Sequence, residues 1–329
     1  MSASPPPVQV LDDRAVATLL PVRDPHGHKG TFGRLLVVAG SLDYSGAALL
    51  VSRAAGRAGA GLIRLAVPAS LQPFIVGRFV EATTLGLPET ETGIVDAPAA
   101  LERLLAENHD ALVVGPGLRA GPATVRLVEG LLAPEGHEAK LPAIVDAEAI
   151  NSLATLDGWA ARVRRPCVVT PHVAEFGRLR DGIGAPPRAG EDLVGDDDAR
   201  THAAAEAARG WGLVVVLKGA HTVIAARDGR IARAPFANPA LASGGTGDVL
   251  SGTIGALLAQ RLDPFEAACA GVYLHGLAGE AVSERLGDSG LLASDLPDEI
   301  ARARHRLARL RSARSPVGFA IERSRGAAS

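Results

Sequence analysis

The feature that most constrains the fold of this chain is a repeated alternation of short apolar runs with longer amphipathic stretches. The apolar runs are rich in β-branched residues and bounded by glycine or proline, which is typical of buried strands; they cover residues 35–39, 62–67, 111–114, 143–145, 167–170 and 213–217. Helical spacing lies between them, at residues 46–60, 97–107, 123–132, 147–153 and 199–209. Strand followed by helix, repeated, predicts an α/β fold with a mostly parallel central sheet flanked by helices on both faces.

The pattern changes after residue 217. An Asp-Gly pair separates the apolar runs at 222–226 and 231–234 and predicts a hairpin, which gives the sheet an antiparallel edge. The rest of the chain is predicted to be mostly helical, at 247–258, 264–286 and 293–310. We expect residues 1–329 to form a single domain with its core at about 11–310, a mobile loop at 182–198 and a mobile tail at 312–329.

Composition excludes several classes of protein. Hydrophobic residues make up 47% of the chain and charged residues 21%, which fits a globular core and excludes a wholly disordered chain. The 34 basic and 36 acidic residues leave a net charge of -2, so no general attraction to nucleic acid or to an anionic membrane is expected. No apolar run approaches the roughly 18 residues of a membrane span, and residues 1–7 do not resemble a signal sequence. We therefore expect a cytoplasmic protein.

Disulfide, zinc and hydrolase chemistry are not predicted. The two cysteines, Cys167 and Cys269, lie in apolar sequence without paired spacing. No group of His, Cys, Asp and Glu residues has metal-ligand spacing, and no nucleophile elbow is present. Direct metal ligands are therefore not expected.

The strongest chemical signal is a glycine-rich segment, residues 238–252, that leads directly into a helix. Free amides at a helix N-terminus present several donors and the positive end of the helix dipole to a phosphate. Asp248 would then stand where a carboxylate meets both a phosphate and a substrate hydroxyl, which predicts a catalytic role; the alternative is that it only caps its helix. The predicted anion hole consists of Gly244, Gly245, Thr246 and Gly247.

A second candidate for phosphate binding is Lys218-Gly219, which directly follows the last predicted parallel strand. Lysine occurs at only three positions in the chain, so a lysine at a strand end stands out; the alternative is a solvated strand end. The segment Gly115-Pro116-Gly117 also follows a strand, but it matches neither a Walker loop nor a dinucleotide fingerprint. We interpret it as a turn that opens a pocket.

Three further strand ends carry polar or glycine-rich sequence. Because ligands bind at the carboxyl ends of strands in open α/β sheets, we expect these ends to converge on one cleft. His172 is a ligand contact, a neighbour of a helix cap or a solvent-facing residue, while Asp146 and Glu175 are helix caps or organise a nucleotide-bound cation through water. The three segments are Gly40-Ser41 with Ser45-Gly46-Ala47, Asp146-Ala147-Glu148, and Thr170-Pro171-His172-Val173-Ala174-Glu175.

Taken in order, these motifs resemble the ADP-dependent NAD(P)H-hydrate dehydratase family, whose fold is ribokinase-like. The resemblance covers about residues 11–310, and its specificity lies in the order and spacing of several motifs, since the Gly-Gly-Thr-Gly-Asp element alone fits many ribokinase-like kinases. The motifs are His28-Lys29-Gly30, Gly40-Ser41, Gly46-Ala47, Gly115-Pro116-Gly117, Asp146, Thr170-Pro171-His172, Glu175, Lys218-Gly219 and residues 238–252.

The resemblance implies an enzyme that repairs NADH or NADPH whose nicotinamide ring has become hydrated. ADP, or alternatively ATP, would supply the phosphoryl group that drives removal of water, with Mg²⁺ bound to the nucleotide and AMP and phosphate as products. The hydrated dinucleotide would lie near Ala47, Gly117, His172 and Asp248. The adenine nucleotide would lie against Lys218, Gly219, Ala220, His221, Thr222 and Gly247.

The resemblance also implies a homo-oligomer, with a tetramer as one form. Many bacterial members carry an N-terminal epimerase domain, and roughly ten residues precede the matched region here, so a separate epimerase protein is expected. Two positions depart from the family pattern. Glu148 stands where the family usually has a second aspartate, and Val173-Ala174 replaces the usual Pro-Gly before Glu175. A cation role for Glu148 is therefore not expected.

Two other functions fit parts of the sequence. A ribokinase-like kinase of a small alcohol, such as a vitamin precursor, would use Asp248 and its anion hole in the same way. A non-catalytic sensor of adenine nucleotides would keep the pocket without turnover, which the intact Gly247 and Asp248 argue against. The segments around His172 and Lys218 favour the dehydratase.

Overall fold

A ten-stranded sheet forms the centre of the protein. The computed structural model describes residues 7–185 and 191–312. Two short strands, β5 and β6, pair antiparallel in a separate small sheet. The strands are, in chain order, β1 (Gln9–Val10), β2 (Arg34–Val38), β3 (Leu62–Pro68), β4 (Thr83–Leu87), β5 (Glu89–Glu91), β6 (Ile94–Val95), β7 (Ala111–Val114), β8 (Ala143–Val145), β9 (Cys167–Val169), β10 (Val214–Leu217), β11 (Val223–Ala225) and β12 (Ile231–Arg233).

The order of strands in the large sheet is β1-β12-β11-β10-β9-β8-β7-β2-β3-β4. Neighbouring strands are parallel except where β11 pairs with β10 and with β12. The predicted mostly parallel sheet and the hairpin are thus confirmed, and the Ala226 amide closes the hairpin turn by donating to the Arg230 carbonyl at 2.9 Å. β1, which has only two residues and was not predicted, pairs with β12 and lies outside the hairpin.

Helices cover both faces of the sheet. They are α1 (Asp13–Leu19), α2 (Ser45–Arg57), α3 (Gln72–Val76), α4 (Ala97–Leu105), α5 (Pro122–Leu132), α6 (Glu148–Ala154), α7 (Trp159–Arg162), α8 (Val173–Asp181), α9 (Asp197–Trp211), α10 (Thr246–Ala259), α11 (Pro264–Leu286) and α12 (Leu296–Ser312). None of the helices in the described parts of the chain combines the length and apolar character needed to cross a bilayer.

The predicted helices are present, with ends that differ by a few residues. α6 begins one residue later than predicted because Ala147 has a φ of 50° and cannot continue a right-handed helix. The helix predicted from residue 293 begins with the 3-10 turn Ala293–Asp295 and becomes α12 at Leu296. Residues 186–190 of the predicted mobile loop and residues 313–329 of the predicted tail lie outside the described residues.

The core is divided between the two faces of the sheet. Leu35 and Val37 of β2 pack in the cluster that contains α2, α10 and α11. Leu36 and Val38 pack in the opposite cluster with α4, α5 and α9. Successive side chains of a strand point to opposite faces of the sheet, so a strand that is buried on both faces must be apolar at every position.

The contact between α2 and α10 depends on a glycine. A Cβ built on Gly252 would stand 2.2 Å from the Val51 carbonyl oxygen, whereas one built on Gly56 would make ordinary contacts with the side chains of Ile63 at 3.6 Å and Phe79 at 4.0 Å. We therefore expect Gly252→Ala to lower the free energy of unfolding by about 1–3 kcal/mol, because two backbones must separate. Gly56→Ala, the matched control in α2, should leave it unchanged or slightly higher. Urea unfolding measures both, and equal stability of the two variants would contradict this packing.

Candidate active site

Loops at the carboxyl ends of the parallel strands meet beside the N-terminus of α10. A Cβ built on Gly117, after β7, would stand 2.6 Å from the Ala47 Cβ in the first turn of α2. A Cβ built on Gly247 would stand 3.5 Å from Lys218 Nζ, after β10, and 3.9 Å from an oxygen of Asp146, after β8. The strand ends selected in the sequence therefore converge on one cleft, as expected.

The glycine-rich loop leaves the first turn of α10 without a side-chain cap. Gly245 is the N-cap residue and has a φ of 87°, a left-handed conformation that favours glycine. A Cβ at this position would also stand 2.6 Å from the Leu50 side chain. The Thr246 hydroxyl donates to the carbonyls of Leu241 (2.7 Å) and Ser243 (2.9 Å), which holds the loop in place. The loop can therefore bind an anion through amides of the helix terminus.

Asp146 is the buried centre of the polar network in the cleft. Its side chain is 1% exposed. One carboxylate oxygen accepts hydrogen bonds from the Thr170 hydroxyl (2.8 Å) and from Lys218 Nζ (2.9 Å), and the other accepts one from the Ser251 hydroxyl (2.7 Å). The carboxylate is fully engaged, so it positions Lys218 instead of capping a helix.

Lys218 lies between two carboxylates. Its ammonium group is 2.9 Å from Asp146 and 3.7 Å from Glu175. Burial lowers the pKa of Lys218, but the carboxylates of Asp146, Glu175 and Asp248 raise it more, and the net direction is upward. Lys218 therefore carries a permanent positive charge beside the glycine-rich loop.

Asp248 is the titratable group of the cleft. Burial raises its pKa to about 7, the negative charge of Asp146 adds to the increase, and Lys218 opposes it. A carboxyl group with a pKa near neutrality can accept a proton from a substrate and release it again. Asp248 therefore has the chemistry of a general base, which a helix cap does not need.

The raised pKa predicts a measurable pH dependence of stability. The folded state keeps the Asp248 proton up to about pH 7, whereas the unfolded chain releases it near pH 4, so this carboxyl stabilises the fold at low pH and loses that contribution as pH rises through 7. Asp248→Asn should therefore be more stable than the wild type by about 2–4 kcal/mol at pH 8 and by little at pH 4. Urea unfolding across this range measures the difference. The exposed Asp157→Asn control should show no such trend. If the stability difference between Asp248→Asn and the wild type does not change with pH, the raised pKa is contradicted.

A cavity of about 400 Å³ opens beside Lys218 and Gly247. Gly219, Ala220 and Thr222 line it together with an apolar wall, so five of the six residues predicted for the nucleotide border one cavity. The apolar wall includes Ala234, Phe236, Pro239, Leu241, Leu250 and Val272. Its size and apolar character suit an adenosine group.

The buried His275 supports the loop from the floor of this cavity. Its Nε2 lies 2.9 Å from the Thr246 carbonyl. Burial lowers the pKa of His275 to about 4, so the ring is neutral and donates its Nε2 proton to that carbonyl. Nothing in the surrounding sequence pattern had indicated this residue.

Two predicted histidines do not enter the cavity. The His221 ring lies 2.7 Å from an Asp197 carboxylate oxygen and is absent from the cavity wall. His172 is the N-cap of α8: its Nδ1 accepts from the amides of Ala174 (3.2 Å) and Glu175 (3.4 Å). The imidazole is half exposed, at 52%, so it remains accessible to a ligand.

Arg200, a buried arginine that no sequence pattern indicated, fixes the loop after β10. Its guanidinium donates to the carbonyls of Leu193 at 2.8 Å and Val194 at 2.6 Å and also to the Ala220 carbonyl. Arg200 therefore ties the segment before α9 to the loop after β10. Its neighbours in sequence give no signal, because all three partners are backbone atoms.

The residues of the cleft fit a cation that is bound mainly by the nucleotide. The described residues contain no group of three or more His, Cys, Asp or Glu side chains suited to a metal ion. Asp146 is fully engaged, and Glu148 accepts from Asn151 (3.3 Å) and Ser152 (3.4 Å). Mg²⁺ commonly keeps several waters and takes its remaining ligands from phosphates, so a nucleotide-bound Mg²⁺ would be compatible with these side chains.

The sequence is similar to proteins of one known family. A family model described as NAD(P)H-hydrate dehydratase matches residues 35–302. The chain is 38% identical to the ADP-dependent (S)-NAD(P)H-hydrate dehydratase of Neisseria meningitidis serogroup B, over 85% of this chain and 88% of that protein. It is 43% identical to the bifunctional NAD(P)H-hydrate repair enzyme Nnr of Moorella thermoacetica, over 85% of this chain and 50% of that enzyme. The chain thus spans about half the length of the bifunctional relatives it matches.

The fold also resembles solved structures. The ADP/ATP-dependent NAD(P)H-hydrate dehydratase of Bacillus subtilis, co-crystallised with ATP and Mg²⁺, aligns with a TM-score of 0.76 and 34% identity. The alignment covers 91% of this chain and 99% of that one. A ribokinase-like protein of Enterococcus faecalis aligns with a TM-score of 0.74 at 24% identity, over 92% of this chain and 96% of that one, which supports the fold alone.

Proposed function

Because the chain belongs to the NAD(P)H-hydrate dehydratase family, we propose that it restores NADH and NADPH from their hydrates in an ADP-dependent reaction that releases AMP and phosphate. The proposal rests on Asp248, which has a pKa of about 7 and lies in the first turn of α10. A glycine-rich loop precedes this turn and gives it no side-chain cap. The resemblance found in the sequence and the matched relatives point to the same reaction.

The adenine nucleotide occupies the cavity beside Lys218 in this proposal. Its adenosine group packs against the apolar wall around Phe236 and Val272, and its phosphates face Gly247 and Lys218. The hydrated nicotinamide ring lies on the other side of Asp248, near Ala47, Gly117 and His172. His221 pairs with Asp197 and does not line this cavity.

The reaction begins with proton transfer to Asp248. Asp248 takes the proton of the ring hydroxyl, whose oxygen attacks the terminal phosphorus of ADP; a new O–P bond forms and the bond to AMP breaks. Lys218 and the amides of the glycine-rich loop stabilise the charge that develops on the phosphoryl group. A nucleotide-bound Mg²⁺ supplies further charge neutralisation.

The second step releases phosphate from the ring. The lone pair of the ring nitrogen expels the phosphate with its bridging oxygen, and loss of a proton from the adjacent ring carbon restores the double bond. Phosphate is a far better leaving group than hydroxide, so the protein mainly has to position the reactants and exclude water.

The test is an assay with hydrated NADH, with and without ADP, that follows recovery of NADH absorbance and formation of AMP. We expect recovery that depends on nucleotide, with one AMP for each NADH, and parallel assays with ATP and hydrated NADPH define the preferences. A small-alcohol kinase would accumulate a stable phosphate ester and no NADH. A sensor would bind ADP without releasing phosphate. Either result would overturn the proposal.

The remaining expectations from the resemblance are part of the same proposal. We propose that the protein is cytoplasmic, because nicotinamide cofactors are used there, and that it is a homo-oligomer. Light scattering measures the mass of the assembly directly. The bifunctional relatives are named as repair enzymes, and this chain matches about half of their length. A separate epimerase protein would interconvert the two epimers of the hydrate.

A further inference from the structure

A second cavity borders the cleft and has no role in the reaction described above. It has a volume of about 460 Å³, and its walls include Gly40, Ser41, Leu118, Arg119 and Arg126. We propose that this cavity holds the phosphate-bearing part of the hydrated dinucleotide and that Arg119 and Arg126 contact its phosphates. This inference rests on the proposed function, because it assigns a binding site to the substrate of that reaction.

The cavity adjoins the proposed site of the nicotinamide ring, because a Cβ built on Gly40 in its wall would stand 2.9 Å from the Cβ of Ala48, the neighbour of Ala47. Leu118 and Arg119 directly follow Gly117, the residue packed against Ala47. The Gly40 amide, at the other wall, donates to the Pro116 carbonyl at 2.8 Å and joins the two loops. The nucleotide cavity beside Lys218 shares none of the described lining residues of this second cavity, which leaves the second cavity for the rest of a dinucleotide whose ring is at Asp248.

The charges of the cavity select an anion. Its lining contains two arginines and no aspartate or glutamate among the described residues. Arg119 lies 3.9 Å from Asp43, but both side chains are more than half exposed, so the pair is weak. Arg126 makes no ion pair within the described parts of the chain. Both guanidinium groups are therefore available for bidentate contact with phosphate oxygens.

The neutral groups of the cavity add hydrogen-bond donors. Gly121, the N-cap of α5, gives that helix no side-chain cap, so amides of its first turn face the same space as the arginines. Ser41 is only 1% exposed and lines the cavity. Its hydroxyl oxygen accepts from the Tyr44 amide at 3.2 Å, while its proton has no acceptor in the described structure. A phosphate oxygen in the cavity would satisfy this buried donor.

Both arginines are exposed, so they can be substituted without disturbing the fold. Arg119→Gln and Arg126→Gln should each raise the Kd of NADPH, titrated by its fluorescence, and the KM of the hydrated substrate by roughly tenfold. Ala120→Trp, at an exposed position of the wall, should do the same by filling the cavity. The KM for ADP should stay at the wild-type value in all three. Arg227→Gln, in the hairpin turn at the other end of the sheet, is the matched control and should change nothing.

A comparison of hydrated NADPH with hydrated NADH identifies which phosphate the two arginines bind. A larger effect on hydrated NADPH than on hydrated NADH assigns the arginines to the 2′-phosphate, and equal effects assign them to the pyrophosphate. Wild-type NADPH binding in all three variants, or no binding by the wild-type protein itself, would overturn the inference. A wild-type protein that binds NADPH but shows no ADP-dependent recovery of NADH would contradict only the proposed function, and the titrations would still decide the role of the cavity.

Discussion

Asp248→Asn is expected to lower kcat for dehydration of hydrated NADH by about 10²–10⁴-fold, because asparagine keeps the shape of the side chain but cannot accept the hydroxyl proton. The Kd for ADP should remain close to the wild-type value, since in the proposed complex the loop amides, Lys218 and the apolar wall of the cavity hold the nucleotide. Initial rates of NADH recovery and calorimetric titration of ADP measure the two quantities.

The same account predicts how the wild-type activity depends on pH. Asp248 must be deprotonated to act as the base, so kcat/KM should rise as pH increases through the pKa of about 7 and level off above it. Asp157→Asn, in an exposed loop, should have wild-type kcat and serves as the control for the substitution. An Asp248→Asn variant that retains most of the wild-type kcat would exclude Asp248 as the base.

Lys218→Met is expected to lose both turnover and stability. Without the ammonium group the phosphoryl charge is less stabilised, and kcat/KM for ADP should fall by about 100-fold or more. The substitution also leaves the buried carboxylate of Asp146 without its cation, which should cost about 3 kcal/mol in the free energy of unfolding. Urea unfolding and steady-state kinetics separate the two effects.

The double variant Asp146→Asn with Lys218→Met distinguishes these causes. Removing both members of a buried pair costs less than removing one, so the double variant should recover much of the lost stability. Turnover should not recover, because the positive charge at the glycine-rich loop is still missing. A double variant as unstable as Lys218→Met would show that the unpaired Asp146 charge is not the source of the loss.

The fold was predictable where strands are buried on both faces. Such strands must be apolar at every position, and the segments at β7, β8 and β10 are continuous runs of this kind. β4 was not predicted, because it is an edge strand that begins with two threonines and has Gly86 in its interior. α8 was not predicted because it is short and polar, although His172 and Glu175 form a capping box in which histidine takes the place of the usual serine or threonine.

The site was predictable to the extent that its residues lie in local motifs. A local sequence pattern indicates binding or catalysis at helix starts and strand ends, which is where we find Gly245, Gly247, Asp248 and Lys218. The function of Asp146 was not predictable, because it depends on partners that are 24, 72 and 105 residues away in the chain. His275 was missed for the same reason, since it contacts a backbone carbonyl 29 residues away. Arg200 was missed because its hydrogen bonds go to backbone carbonyls, which no pattern of side chains indicates.

The most direct test of the proposed chemistry follows the hydroxyl oxygen of the hydrated ring. Hydrated NADH labelled with ¹⁸O at that hydroxyl is incubated with the wild-type protein, ADP and Mg²⁺, and the released phosphate is analysed by mass spectrometry. Transfer of the phosphoryl group to the ring oxygen, followed by cleavage of the carbon–oxygen bond, predicts one ¹⁸O atom in each phosphate. Unlabelled phosphate, with the ¹⁸O recovered in water, would contradict phosphorylation of the ring hydroxyl.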